Sequence, residues 1–138
     1  MVHTTNYTNT FIEVADDCTA VKGMEPPRKE EKKSVARIQD ELLKDYPYKF
    51  TSDELLFELH VMRNQIAEEQ RDAEKEQMFS KGQACMRSSS LPKKYGWGIH
   101  FNQSSRMAIY SADSEEYARL KDNPKLAHKK AMRSTKRQ

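Results

Sequence analysis

The amino-acid sequence predicts an α+β fold, in which a small antiparallel sheet of three to four strands packs against two to four helices. One stripe of apolar residues recurs at intervals of four, three and four positions: Leu55, Leu59, Met62 and Ile66. This spacing puts all four side chains on one face of a helix. The apolar period changes to two at 97–101 and again at 107–110, on either side of a polar turn. Two such runs are typical of an antiparallel hairpin.

Residues 10–15, TFIEVA, predict a short strand, because β-branched and aromatic side chains partly alternate with polar ones there. The next stretch contains Gly23, two consecutive prolines and the charge run RKEEKK. Such residues cannot build a core, so a flexible charged linker is expected near 22–33.

Two helices are predicted before residue 80. Ser34 is a suitable N-cap for the first, and Pro47 stops it. Thr51 and Glu54 have the spacing of a capping box, which opens the helix that carries the apolar stripe. The polar end of this second helix, EEQRDAEKEQ, is expected to project into water.

The second half of the chain completes the predicted sheet and adds helices. Residues 83–88 are expected to supply a third strand, and Ser114 to cap a helix. Another short helical stretch is expected between Pro124 and Met132, followed by a basic, partly frayed end near 133–138. The whole chain, 1–138, is expected to form a single domain.

The net charge of +3 conceals a segregation of charge along the chain. Residues 81–112 contain five cations and no acid, and residues 123–138 contain six cations and no acid. The first 80 residues are acidic on balance. This arrangement predicts either an anionic partner or an acidic complement within the same chain.

The sequence also indicates a compartment. The opening MVHTTNYTNT has no apolar core of the kind that a signal peptide needs, and no run of residues is apolar enough to span a bilayer. Cys18 and Cys85 lie far apart without the spacing of a zinc site or a disulfide framework. We therefore expect a cytoplasmic protein with no membrane partner.

The segment RSSSLPKKY, residues 87–95, collects the groups that an anion-binding site needs. One guanidinium, two ammonium groups and several hydroxyl donors can satisfy a phosphate or a carboxylate. We predict a non-enzymatic module for a small anionic ligand or an acidic protein, with these candidate ligand-binding residues: Arg87, Ser88, Lys93, Lys94, Trp97 and His100. The alternative is a solvated loop, because no Gly-rich phosphate motif is present.

Cys85 supports a second hypothesis, a thiol-dependent enzyme. The surrounding cations would favour a thiolate, and His100 or His60 would serve as the general base. The alternative is an inert, packed cysteine, since Ala84-Cys85-Met86 is typical of a strand interior. The histidines lack the paired spacing of a metal site, so no metal and no other cofactor is expected.

The basic C-terminal segment supports a third hypothesis, weak binding of nucleic acid. If the segment is helical, Lys125, Lys129 and Arg133 follow one another at intervals of four and can lie along a phosphate backbone. It has no aromatic residue for stacking on bases. The alternative is a solvated end, or a tail that lies on the acidic helices.

Several blocks of the sequence resemble a family of small bacterial proteins that is described only as a domain of unknown function. The blocks are HTTNYTNTFIEVADDC, YKFTSDELLFELHVMRN, SKGQACMRSSSLPKKYGWGIH and the closing AMRS. LPKKYGWGIH is the most specific part. The resemblance implies a compact, cytosolic, single-domain bacterial protein, and it assigns no catalytic or binding residue.

Overall fold

The computed structural model describes residues 3–29 and 32–134. Its strands are β1 (Thr10–Glu13), β2 (Arg28–Lys29), β3 (Lys32–Lys33), β4 (Trp97–Phe101), β5 (Met107–Ser111) and β6 (Ala127–Lys130). Its helices are α1 (Val35–Asp45), α2 (Ser52–Asn64), α3 (Arg71–Met78), α4 (Ser90–Lys94) and α5 (Glu115–Asp122). Two short 3₁₀ turns lie at Glu68–Gln70 and Met86–Ser88.

A four-stranded sheet in the order β5-β4-β1-β6 forms the centre of the fold. β4 pairs antiparallel with β5 and with β1, as the hairpin and the TFIEVA strand predict. β6 pairs parallel with β1, so the sheet is mixed rather than wholly antiparallel. β2 and β3 form a separate ribbon of two strands. The predicted α+β class is confirmed.

One face of the sheet carries the core. Ile12, Ile99 and Ile109 lie opposite one another on three adjacent strands, and all three are buried. Leucines of three helices cover them: Leu43 of α1, Leu55 and Leu59 of α2, and Leu91 of α4. The predicted stripe on α2 is correct for its first two residues only, since Met62 is 54% exposed.

The second face of the sheet is covered by α5. Phe11 meets the ring of Tyr117 edge-on, with 5.0 Å between the ring centroids. The approach depends on Gly98, because a Cβ atom there would lie 2.6 Å from both aromatic rings. The Tyr117 hydroxyl accepts a hydrogen bond from the Val14 N–H at 3.0 Å, which fixes α5 to the chain that follows β1.

The helix starts follow the sequence prediction. Ser34 caps α1 by accepting the Arg37 N–H at 3.1 Å. Thr51 and Glu54 form the predicted capping box at the start of α2, each accepting the backbone N–H of the other. These bonds satisfy N–H groups that have no partner inside a helix.

The predicted continuation of α2 through the polar segment is wrong, although most of residues 68–77 are exposed to water as expected. The helix ends because Gln65 has the left-handed conformation, with φ at 51°. α3 then turns back along α2, where Glu58 pairs with Arg71 and His60 lies 3.1 Å from Glu74. Charged partners on both helices therefore hold the polar segment against the protein.

Two further predictions of secondary structure are wrong. Residues 83–88 do not form a strand, since Met86–Ser88 is a 3₁₀ turn that buries Met86. Residues 127–130 are not helical but form β6. Parallel pairing with β1 supplies backbone hydrogen bonds there, although the local sequence AHKK has no apolar pattern of its own.

The N-terminal segment is docked on the body of the protein. Thr5 donates to the Asp53 carboxylate from its backbone at 2.8 Å and from its hydroxyl at 2.7 Å. Asn6 in turn accepts the Asp53 N–H at 2.9 Å. The hydroxyl-rich N-terminal segment is thus hydrogen-bonded to the first turn of α2.

The predicted linker and C-terminal end lie partly outside the described residues. The structure places β2 and β3 within 22–33, and residues 30 and 31 are not described. Of the predicted frayed end, residues 135–138 lie outside the described range. Among the described helices, none has the length and apolar character that crossing a membrane requires.

Candidate functional site

Arg87 joins the two cationic segments of the sequence. Its Nε donates to the Lys130 carbonyl at 2.7 Å, and its own carbonyl accepts the Met132 N–H at 2.8 Å. The 3₁₀ turn that carries Arg87 is thereby fixed to the end of β6. A region without acids at 81–112 and another at 123–138 consequently meet at one edge of the sheet.

We call this surface the cationic edge and define it by five residues: Arg87, Lys125, Lys129, Lys130 and Arg133. The four of these that follow residue 120 are exposed, and Arg87 is half-buried. β6 is the outermost strand here, and all four of its residues are exposed. The cationic edge is therefore open to a partner in solution.

Carboxylates at the end of β1 offset part of this charge. Asp16 accepts a hydrogen bond from Lys130 Nζ at 2.7 Å, and this bond raises the pKa of Lys130. Asp17 accepts the Ser134 N–H at 2.9 Å, and Glu13 lies 3.9 Å from His128. The predicted acidic complement within the chain thus exists, but it lies at the end of β1 and just after it rather than on the acidic helices.

In the serine loop, residues 88–90, the hydroxyls of Ser88 and Ser89 make contacts within the protein and do not form a free cluster of donors. Ser89 caps α4 and donates to Gln39 Oε1 at 2.8 Å. Ser88 donates to the sulfur of Met132 at 3.0 Å. Both serines line a cavity of about 210 Å³ together with Cys85 and the apolar side chain of Leu56. Their hydroxyls serve as packing contacts between the loop, α1 and the C-terminal segment.

Lys93 and Lys94 do not join Arg87. Both lie in the last turn of α4, and Lys94 lines a separate cavity of about 440 Å³ with Lys22 and Glu25. The three cations that the sequence places in one candidate site are therefore divided between two surfaces.

Trp97 is occupied by contacts within the protein. Its ring lies against Gly23, where a Cβ atom would come within 2.5 Å of it. Its Nε1 donates to the Met24 carbonyl at 2.8 Å, and Lys44 Nζ lies 4.5 Å from the ring centroid. The indole holds the segment after β1 against the sheet and α1.

Cys85 pairs with a tyrosine that the sequence analysis did not connect to it. The Tyr7 hydroxyl donates to Cys85 Sγ at 3.2 Å, and the Tyr7 ring packs edge-on against Phe101. Burial, followed by the bond to the thiol, raises the pKa of Tyr7 to about 12. Tyr7 therefore keeps its proton at neutral pH and cannot act there as a base toward the thiol.

His100 lies on the face of the sheet opposite to Phe101, because neighbouring residues of β4 alternate between faces. Its Nδ1 is 2.7 Å from the Tyr48 hydroxyl, which lies 2.8 Å from the hydroxyl of Tyr110. The contacts of His100 and of Cys85 thus fall on opposite sides of the sheet. The structure therefore does not bring together Cys85 and His100.

Two residues of the Tyr48, His100 and Tyr110 cluster, Tyr48 and His100, have shifted pKa values. Burial lowers the pKa of His100, and burial together with the bond to Tyr110 raises the pKa of Tyr48. The imidazole is therefore neutral and the phenol protonated at pH 7. No sequence pattern indicated Tyr48, which has a positive φ of 59° after Pro47.

Metal ligands are not clustered in the part of the chain that the structure describes. No group of three or more His, Cys, Asp or Glu side chains there is arranged to hold an ion. His60, His100 and His128 each lie beside a different partner: Glu74, Tyr48 and Glu13, respectively.

Comparison with known proteins identifies a family. The profile of the family of unknown function DUF6157 matches residues 2–137, so the chain belongs to that family. Searches of curated proteins and of solved structures found no significant match.

Proposed function

We propose that this member of DUF6157 is a small, non-enzymatic bacterial protein of the cytoplasm that binds an acidic partner through the cationic edge. The observation that carries the proposal is the pair of bonds between Arg87 and residues 130 and 132. They unite two cationic segments that are far apart in sequence. Arg87 belongs both to the anion site that the sequence predicts and to the cationic edge. Lys93 and Lys94 do not belong to the cationic edge, whose other cations lie on and beside β6.

The charges of the cationic edge support a carboxylate-rich partner. Of the five cations, Lys130 is engaged by the Asp16 carboxylate, whereas Glu13 and Asp17 contact His128 and the Ser134 N–H instead. Lys129 and Arg133 are exposed and make no ion pair with another described residue. Arginine presents a planar fork that matches a carboxylate, and an exposed lysine adds a point charge.

The shape of the surface favours a macromolecule over a small anion. Small ligands bind in concave pockets that bury most of their surface. β6 is instead a fully exposed strand at the rim of the sheet. An acidic polypeptide can contact several cations along such a rim at once. The small-anion alternative would need the cations to converge, and they are spread along the strand.

A charge-reversal experiment tests the proposal. The probe is a fluorescent peptide of ten glutamates, measured by anisotropy at two salt concentrations. We expect the double variant Lys129→Glu, Arg133→Glu to weaken binding about tenfold or more, since charges at an interface act together. The matched control, Arg63→Glu with Lys75→Glu, changes the net charge equally on α2 and α3.

The outcomes separate the alternatives. A large loss in the first variant and a loss of less than about threefold in the control supports the cationic edge. Equal losses in both variants would overturn it, because only the net charge would then matter. Tighter binding of a single-stranded oligonucleotide than of the peptide would favour the nucleic-acid hypothesis instead.

A further inference from the structure

The outer side of β6 presents backbone groups that the sheet does not use. Ala127 and Ala131 donate their N–H groups to the carbonyls of Asn9 and Glu13, each at 2.9 Å. Alternate residues of a strand direct their backbone groups to opposite sides. His128 and Lys130 therefore direct their N–H and C=O groups away from β1.

Arg87 confirms this orientation. Its Nε reaches the Lys130 carbonyl, and its carbonyl accepts the Met132 N–H, so both of these groups point outward. Among the hydrogen bonds of the described residues, none uses the N–H or C=O of His128 or the N–H of Lys130. Three outward groups thus remain, and Arg87 marks the end of the row.

We propose that an acidic, extended segment of the partner binds as a fifth strand along β6. This inference rests on the proposed function, because it adds a backbone arrangement to the same cationic edge. An exposed strand edge is a template for pairing with another chain. Lysines on such an edge normally prevent pairing with another strand. They attract a strand whose side chains are acidic, because the charges are then opposite.

Charge also excludes a second copy of this chain as the fifth strand. Two β6 strands side by side would place lysines close to lysines, and like charges on neighbouring strands are destabilising. An acidic strand instead places carboxylates beside Lys129 on one face. On the other face Lys130 is held by Asp16, so fewer acids are needed there. We expect acidic residues at alternate positions of the partner segment.

A matched pair of variants tests the backbone contact. His128→Ala and His128→Pro both remove the imidazole, and only the proline also removes the outward N–H. A proline is tolerated on an edge strand where the N–H faces solvent. The probe is a fluorescent nine-residue peptide of alternating glutamate and valine. We expect His128→Pro to bind it about three- to tenfold more weakly than His128→Ala, which keeps the backbone N–H.

Hydrogen exchange gives a second measurement that needs no variant. Excess peptide should slow exchange of the His128 and Lys130 amides in the unchanged protein. The Lys129 amide faces β1 and should change little. Circular dichroism shows whether His128→Pro folds. If it does not fold, hydrogen exchange still tests the fifth strand.

Two results would overturn the fifth strand. One is equal peptide affinity in the folded His128→Ala and His128→Pro proteins, and the other is unchanged exchange at His128 and Lys130 in saturating peptide. With either result the proposed function still stands if the double variant Lys129→Glu, Arg133→Glu weakens binding as expected. If that double variant binds the peptide as tightly as the unchanged protein, the proposed function itself is overturned.

Discussion

The two edges of the sheet are protected in different ways. At β5 the chain closes its own edge: the Tyr48 N–H donates to the Met107 carbonyl at 2.7 Å, and the Met107 N–H donates to the Phe50 carbonyl at 2.9 Å. At β6 Arg87 binds the Lys130 carbonyl and the Met132 N–H, the outward groups before them stay open, and exposed lysines flank these groups. Both devices prevent uncontrolled pairing between sheets. On β5 the next outward residue, Ile109, is buried, whereas the open backbone groups of β6 belong to exposed residues.

One of the four described non-glycine residues with positive φ, Tyr48, helps to close the β5 edge. Tyr48 occupies the left-handed region, which is unfavourable for a residue with a Cβ atom. Its N–H bond to Met107 and its hydroxyl contacts with His100 and Tyr110 hold it there. This part of the β5 edge therefore belongs to the packed structure, whereas the residues of β6 are exposed.

Met107→Pro should have the largest effect on stability and would test whether the edge of β5 is truly closed. It removes the N–H donated to Phe50 and a side chain that is fully buried. Met107→Ala, the control, should cost about 2–5 kcal/mol for the lost packing. The proline should cost about 1–3 kcal/mol more, because the Phe50 carbonyl loses its partner. Chemical denaturation measures both, and equal costs would contradict the closed edge.

Tyr48→Phe should have the next largest effect. It removes the hydroxyl that lies between His100 and Tyr110, so we expect a loss of about 1–2 kcal/mol in the free energy of unfolding. Tyr46→Phe is the control, since Tyr46 is 48% exposed, and it should change stability by less than about 0.5 kcal/mol. Equal effects of the two substitutions would show that the hydroxyl cluster does not stabilise this edge.

The lowered pKa of His100 predicts a smaller effect on stability, which depends on pH. Its folded pKa is lowered by burial, so the unfolded chain binds more protons in the range just below the unfolded pKa. Stability should therefore fall as the pH drops through about 6.5, the ordinary value for histidine, toward the folded pKa. His100→Gln should reduce this slope in urea unfolding between pH 7.5 and 5. If stability changes with pH to the same extent in the variant, titratable groups other than His100 cause the change.

His128→Pro should have the smallest effect on stability, although we expect it to weaken binding of the partner. The N–H that it removes bonds to no other described residue. We expect its free energy of unfolding to lie within about 0.5 kcal/mol of His128→Ala. Thermal unfolding of the two variants without peptide measures this difference. A much larger cost would show that the outer side of β6 is already occupied within the protein.

Local signals in the sequence predicted much of the fold. Capping at Thr51 and Glu54, the apolar stripe at Leu55 and Leu59, and the period of two in the hairpin all express contacts between near neighbours. The end of α2 gave no such signal, because Gln65 takes the left-handed conformation that usually indicates glycine.

The candidate site was only partly predictable for the same reason. Arg87 was identified by its residue type and the charge around it. Its bonds to residues 130 and 132 cross more than forty positions of sequence, and no local pattern encodes them. β6 is the clearest case: a strand with four exposed residues and no apolar alternation is specified almost wholly by its neighbour β1.

The position of β1 also has a consequence for the order of folding. This strand lies in the middle of the sheet, yet its neighbours β4 and β6 follow it by most of the chain. Pairings between distant segments slow folding, because a long loop must be ordered before any contact rewards it. During synthesis β1 therefore cannot pair with both of its neighbours until residue 130 has left the ribosome. The helices between them can form in the meantime, so the sheet is expected to be the last part of the protein to assemble.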